Sequence, residues 1–239
     1  MDVADEAAVV FAKPAVAGEV KTRLARDIGD RAATSLYRAF LRDTAACVER
    51  VVDRAGRILA HAGEADHPSF DPFREHDFVF IDQGQGDLGE RMRRGFDRCF
   101  RAGAERVTAL GADSPTLPPR TVARGFEALR SGDVDAAVGP SFDGGYYLLA
   151  LDEPRFDLLE GIPWSTPEVL ARTCRRAADR GLRCQLLAFW YDVDTFADLR
   201  RLRTHLIDCD PHIERTDGAE TAEAVEKLVQ RGVLESASD

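Results

Sequence analysis

Lysine is nearly missing from this chain, with three against 29 arginines, so the places where lysine does stand carry information. A basic excess is missing too. The net charge of −10 and pI near 5.1 argue against a general nucleic-acid or anionic-membrane surface, so an anionic ligand would need a local positive site. No apolar run approaches the roughly 18 residues of a membrane span, and residues 1–6 are acidic where a secretory leader would be basic. The five cysteines are odd in number and form no C-x-x-C pair, which speaks against a disulfide framework or a zinc knuckle. A soluble, cytoplasmic, reduced protein is the expectation. The nucleophile elbow G-x-S-x-G is absent, as is the phosphate loop G-x-x-x-x-G-K-[ST], since Gly18 stands three residues before Lys21. The five histidines are scattered and none falls in a strand-end motif.

What is present is alternation. Short apolar runs at 7–12, 57–62, 78–81, 106–111, 135–139, 146–151 and 184–189 read as strands. Helical spacing follows Asp30 (Leu36, Tyr37, Phe40, Leu41) and recurs in 87–102, after Pro118, and in 166–180, 195–206 and 219–231. Residues 142–145, Phe-Asp-Gly-Gly, give the hairpin signal of the chain, whereas 63–76 reads as a surface connection and 235–239 as a frayed tail. A length of 239 residues suits one large domain, and no repeat or interdomain linker interrupts it. The pattern predicts an α/β fold with a mostly parallel sheet covered by helices on both faces.

In such sheets ligands sit outside the carboxyl ends of the strands, so the residues just after each strand are the ones to collect. After the first strand come Lys13, Gly18, Lys21 and Arg23, two lysines of the three and an arginine in one loop. Ammonium groups and a guanidinium fork together suit a diphosphate, with a solvated surface loop as the plain alternative. The later strand ends bring Asp82 to Gly89, Asp113, Asp143, and Asp192 with Asp194. Oxygen ligands of this kind suit Mg²⁺ or Mn²⁺ held by one or two carboxylates plus substrate phosphates, with Asp113 the first candidate and Asp194 and Asp192 rivals for the second. Each of these acids could instead cap a turn or helix.

The motifs in order are Phe11-Ala-Lys-Pro14 with Gly18 and Lys21-Thr-Arg-Leu24, Gln83 with Gly86-Asp-Leu-Gly-Glu-Arg-Met92, and Gly111-Ala-Asp-Ser-Pro115. Then come Gly139-Pro140 with Asp143-Gly-Gly-Tyr-Tyr147, Pro163-Trp-Ser-Thr166 and Asp192-Val-Asp-Thr195. This series resembles a bacterial and archaeal family of glycosyltransferases long labelled a domain of unknown function, part of which is tied by name to arsenosugar biosynthesis. The resemblance covers about 7–205, which sets a transferase domain at 1–205 and an extension with one helix at 206–239.

The resemblance implies a GT-A, nucleotide-diphospho-sugar transferase fold, a Rossmann-like single domain, dependent on Mg²⁺ or Mn²⁺. It implies that Ala12, Lys13, Gly18, Lys21 and Arg23 contact the diphosphate, that Gln83, Gly86, Asp87 and Gly89 line the nucleotide, and that Asp113 with Asp194 or Asp192 holds the metal. Gly144, Gly145, Tyr146, Trp164, Ser165 and Thr166 would face the acceptor, with Asp143 the catalytic carboxylate. The chain carries Asp113-Ser-Pro where many glycosyltransferases carry D-x-D. Nucleotidyltransferases, among them the 2-phospholactate and molybdenum-cofactor guanylyltransferases, share the fold and a similar basic loop, so fold leaves the reaction open. The absence of Lys and Arg from 139–147 and 163–168 points to a neutral hydroxyl acceptor and a nucleotide sugar as donor. An NTP with a phosphorylated acceptor is the alternative, and a non-catalytic nucleotide sensor is a third reading.

Overall fold

The structure is a computed structural model that describes residues 3–209 and 217–234. Seven strands form one sheet: β1 (Glu6–Ala12), β2 (Arg57–His61), β3 (Val79–Asp82), β4 (Arg106–Gly111), β5 (Ala136–Pro140), β6 (Tyr146–Leu151) and β7 (Cys184–Leu186). Their order is β3-β2-β1-β4-β6-β5-β7, and only β6 runs antiparallel to its neighbours. The chain winds outward on one side of β1 through β2 and β3, then returns to place β4 on its other side. Connections therefore part in opposite directions above β1 and β4, and such a switch point leaves a crevice at the carboxyl ends.

Among the described residues the α-helices are α1 (Thr22–Ile28), α2 (Asp30–Glu49), α3 (Asp71–Glu75), α4 (Leu88–Arg101), α5 (Pro119–Arg130), α6 (Val169–Asp179), α7 (Phe196–Arg203) and α8 (Ala219–Gln230). Side chains of β1 alternate with period two between the two faces. Ala8, Val10 and Ala12 join Leu36, Phe40, Phe126, Leu199 and Val225 from α2, α5, α7 and α8, while Ala7 and Val9 join Met92, Phe96 and Ala177 from α4 and α6. Both faces are thus dry, which is why the strands read as continuous apolar runs.

Several local differences from the expected elements have physical causes. The basic loop is interrupted by α1, whose Leu24 is fully buried, so Lys21 stands at a helix start rather than in open loop. The 63–76 connection carries α3 and two fully buried rings, Phe70 and Phe73, which pack edge to face at 6.3 Å. The strand expected over 184–189 ends at Leu186, although Leu187 and Trp190 still donate to the carbonyls of Val138 and Pro140. The helix expected from 166 begins at Val169, because the backbone N–H of Leu170 is tied to the carbonyl of Gly144 in the hairpin turn and the preceding residues form turns.

Helix α8 has no side-chain cap of its own. Asp43 of α2 accepts from the N–H groups of Glu220 (3.1 Å) and Thr221 (2.8 Å), satisfying two orphan donors, and Val225 and Leu228 enter the same core as α2. The expectation for 235–239 lies outside the described residues. Among the described residues no helix is long and apolar enough to cross a membrane.

Candidate active site

The loops after β1 and β4 meet above the switch point through one side chain. Lys21 Nζ lies 2.5 Å from Asp113 Oδ1 and 2.9 Å from Asp194 Oδ1, and Arg23 Nη2 lies 2.7 Å from Asp194 Oδ2. The lysine takes the left-handed backbone region, φ 49°, sparsely populated for a side chain with a Cβ. Its ammonium passes the rings of Tyr37 and Phe40, with centroids 5.8 and 5.3 Å away. Its side chain is 3% exposed, while Asp113 and Asp194 are 50% and 36% exposed. Burial alone would discharge this ammonium, but the two carboxylates outweigh it and hold the lysine above its ordinary pKa. Burial works against the charge of Asp194 as well, and Lys21 with Arg23 reverses the balance, holding that carboxyl below the usual range.

The segment carrying Asp192 and Asp194 is registered on the Asp113 loop by a main-chain bond, Val193 N–H to the Asp113 carbonyl at 2.9 Å. Thr195 then caps α7 in a reciprocal box with Asp198, fixing where Asp194 enters. Asp192 sits deeper and accepts from Ser114 Oγ at 2.9 Å. Burial first, and then the charges of Asp113, Asp143 and Asp194, push it up to about 7 against the pull of the Ser114 bond. Asp143 completes the cluster from the β5–β6 turn, where its Oδ1 accepts from Ser141 Oγ and from Gly145 N–H (2.9 Å).

These groups line a cleft of about 700 Å³. Of the residues expected from sequence, Ala12, Lys13, Lys21, Arg23, Gln83, Asp113, Asp143, Gly145, Tyr146, Trp164, Ser165, Thr166, Asp192 and Asp194 line it together. Lys21 is paired here with two of these carboxylates. Gln83 is buried, and its amide donates to the Ala12 carbonyl at 3.2 Å, tying the ends of β3 and β1.

Gly18, Gly86, Asp87, Gly89 and Gly144 stand outside the lining, and each has structural work of its own. Gly18 is a positive-φ turn residue, and Asp87 forms the capping box of α4 with Glu90. A Cβ on Gly86 would lie 1.8 Å from the Glu90 carboxylate, one on Gly89 2.7 Å from the Trp164 indole nitrogen, and one on Gly144 2.2 Å from the Pro167 carbonyl. Close approach therefore favours glycine at 89 and 144, and a backbone φ of 105° does so at 86.

Residues not expected also line the cleft, notably Tyr37, Arg91, Ser114, Ser141 and Tyr147. Arg91 lies one helical turn beyond Asp87, and helix periodicity would have placed it beside Leu88 on the cleft face; its Nε donates to the Gly86 carbonyl at 2.9 Å. Ser165 adopts φ 64°, so two of the three non-glycine residues with positive φ among the described residues, Lys21 and Ser165, stand in this cleft. At the hairpin turn, Phe142 and Phe189 stack with centroids 5.6 Å apart and remain largely exposed.

The strand order, the single antiparallel strand and a carboxylate-lined cleft at the switch point define a nucleotide-diphospho-sugar transferase type of α/β fold. A solved structure provisionally assigned as a nucleotide-diphospho-sugar transferase from Desulfovibrio desulfuricans G20 is similar over 98% of this chain and 97% of its own, at 29% identity and TM-score 0.79. Lower identity shows the fold alone in two others. A nucleotidyl transferase from Methanothermobacter thermautotroptrophicus matches at 18% identity and TM-score 0.55 over 86% of this chain and 99% of its own. Glucosyl-3-phosphoglycerate synthase from Mycobacterium tuberculosis, solved with Mn²⁺, UDP and glucosyl-3-phosphoglycerate, matches at 12% and 0.53 over 97% and 81%. Residues 44–166 match the family described as uncharacterized protein conserved in bacteria, DUF2064, and the chain belongs to that family. No curated protein matches the chain.

Proposed function

We propose that the protein is a metal-dependent glycosyltransferase that moves a sugar from a nucleotide-diphospho-sugar to a small hydroxyl acceptor. The observation that carries this reading is one cleft in which carboxylates Asp113, Asp143, Asp192 and Asp194 adjoin the loop of Lys13, Lys21 and Arg23, opposite a wall of Tyr146, Trp164, Ser165 and Thr166. Among the described residues no group of three or more His, Cys, Asp or Glu side chains is arranged to hold a metal ion. Two carboxylate oxygens nevertheless converge on one cation, the Lys21 ammonium, which acts as a stand-in ion. Mg²⁺ or Mn²⁺ suits that hard-oxygen pair, since such ions commonly take one or two carboxylates and leave other positions to phosphates and water.

Asp113 and Asp194 would hold the ion, with Asp192 the rival for the second place. When bound, it would supply charge stabilisation to the departing diphosphate. Arg23 and Lys13 would bind the same diphosphate. Asp143 would orient the acceptor hydroxyl and receive its proton. Ser141 Oγ and Gly145 N–H both donate to Asp143 Oδ1, which leaves Oδ2 for the acceptor. Trp164 and Tyr146, packed edge to face at 6.2 Å, would give a sugar ring an apolar floor.

Nucleotidyl transfer stays the second reading because Arg91 also lines the cleft and could meet a phosphorylated acceptor. The products separate the two. Purified protein given nucleotide sugars with Mg²⁺ or Mn²⁺ should release nucleoside diphosphate, slowly with water and faster with a hydroxyl acceptor. Pyrophosphate released from a triphosphate in step with a phosphorylated acceptor would replace the first reading by the second.

A further inference from the structure

Lys21 satisfies its charge on the same two carboxylate oxygens that a divalent ion would need. Building on the metal reading above, we propose that Lys21 is an internal counter-cation that must leave Asp113 and Asp194 before an ion can enter, and that it leaves only when a diphosphate arrives to receive it. The ion and the nucleotide diphosphate then bind as a unit.

Three features of the geometry carry this. The ammonium is within 2.9 Å of both Asp113 and Asp194, so an ion at that point and the ammonium exclude each other by space and by charge. The lysine side chain is only 3% exposed, so if an ion displaced it without offering a new partner, a buried ammonium would stand unpaired, an expensive arrangement. Arg23 bonds Asp194 through the other carboxylate oxygen, Oδ2, at 2.7 Å, so releasing the lysine from Oδ1 need not leave that carboxylate bare. Phosphate oxygens placed between the basic loop and the ion would take up the ammonium, and the sequence reading of Lys21 as a phosphate ligand and its observed pairing with carboxylates become two states of one residue. Coupling of this kind is reciprocal: whatever factor the diphosphate adds to ion affinity, the ion adds to diphosphate affinity.

The test reads ion binding rather than turnover. Mn²⁺ binding to the wild-type protein should be weak when titrated alone and at least tenfold tighter with UDP or GDP present. Lys21→Met keeps the stem beside Tyr37 and Phe40 and removes the charge; it should bind Mn²⁺ alone at least tenfold more tightly than wild type, with the diphosphate enhancement largely gone. If Lys21→Met is poorly folded in EDTA, Mn²⁺ alone should restore its Tm while leaving the wild-type Tm unmoved.

With only three lysines in the chain, lysine-labelled wild-type protein gives a second readout that needs no variant. The Lys21 side-chain signal should hold its position in Mg²⁺ alone and shift when UDP or GDP joins it. Unchanged Mn²⁺ affinity in a folded Lys21→Met protein, or a Lys21 signal that moves with Mg²⁺ alone, would overturn the proposal and leave the glycosyltransferase reading standing. Tight Mn²⁺ binding by Lys21→Met, with no nucleotide sugar turned over by wild type, would reverse that outcome.

Discussion

The two ends of the same sheet treat charge in opposite ways. At the amino end, Glu6 on β1 sits between Arg106 (3.0 Å) and Arg130 (2.5 Å), and Asp135 before β5 sits between Arg183 (3.2 Å) and Arg155 (3.1 Å). Each carboxylate there has two guanidinium partners. At the carboxyl end four carboxylates gather, of which Asp113 and Asp194 pair with Lys21 and Arg23, while Asp143 and Asp192 accept from serine hydroxyls. A surplus of negative charge is costly to the free fold and is relieved by a bound cation, so on the proposed reading the first end serves stability and the second binds ligands.

The largest expected effect comes from neutralising one carboxylate at each end. Asp113→Asn should lower turnover by about 100-fold or more while leaving Tm within a few degrees of wild type, because it removes charge from a cluster already too negative. Glu6→Gln should do the reverse: turnover unchanged and a loss of about 1 kcal/mol or less, since the Arg130 partner is half exposed and its pairing is screened, or roughly 2–4 °C for a chain of this size. Kinetics and thermal melts on the two proteins check both halves. Turnover in Asp113→Asn equal to wild type would erase the contrast.

A smaller effect is expected within the carboxyl end itself. Arg23 is 66% exposed and bonds Asp194, so its loss should disturb the fold little. Arg23→Ala should weaken a nucleoside diphosphate by roughly tenfold, the scale of one charge-assisted hydrogen bond, and leave the corresponding nucleoside unaffected. Calorimetry with both ligands measures it, and equal losses would make Arg23 a structural partner of Asp194.

The contrast between the two ends was only half legible in the sequence. Strand and helix alternation, the antiparallel β5–β6 hairpin around Asp143-Gly144 and the acids at the strand ends follow from local pattern, because period, turn chemistry and burial on both faces are local properties. The partner of Lys21 was not legible. Asp113 is 92 residues away and Asp194 173, and they meet only because β4 returns to the side of β1, an order that local pattern does not encode. For the same reason the stacked Phe142 and Phe189, which lie beside the bridge between Ser141 and Trp190, gave no sign of meeting, whereas Arg91, three residues after Leu88 on α4, was within reach of helix periodicity. The glycines at 86, 89 and 144 carry a packing demand that their motif did not disclose: a positive φ beside a helix cap, an indole and a main-chain carbonyl close by.

The smallest expected effect is a pH dependence belonging to the amino end. Burial opposes the charge of Glu6, but hydrogen bonds and attraction from Arg130 and Arg106 outweigh it and hold the carboxyl below its ordinary value of 4.5. A carboxyl depressed in the folded state releases its proton more readily there than in the unfolded chain. Its stabilisation is therefore fully present above 4.5 and is lost as pH falls through the lower folded value. Asp135, depressed first by the Arg183 main-chain bond and then by the Arg183 side chain, adds a contribution that is fully present above 3.8 and is lost further into acid. Wild-type Tm should fall more steeply below pH 4.5 than the Tm of Glu6→Gln, and the two curves should converge in acid, where wild-type Glu6 is itself neutral. Melts taken at intervals from pH 6 down to about 3 would show the convergence, and a constant gap between the curves would mean that Glu6 acts through packing rather than charge.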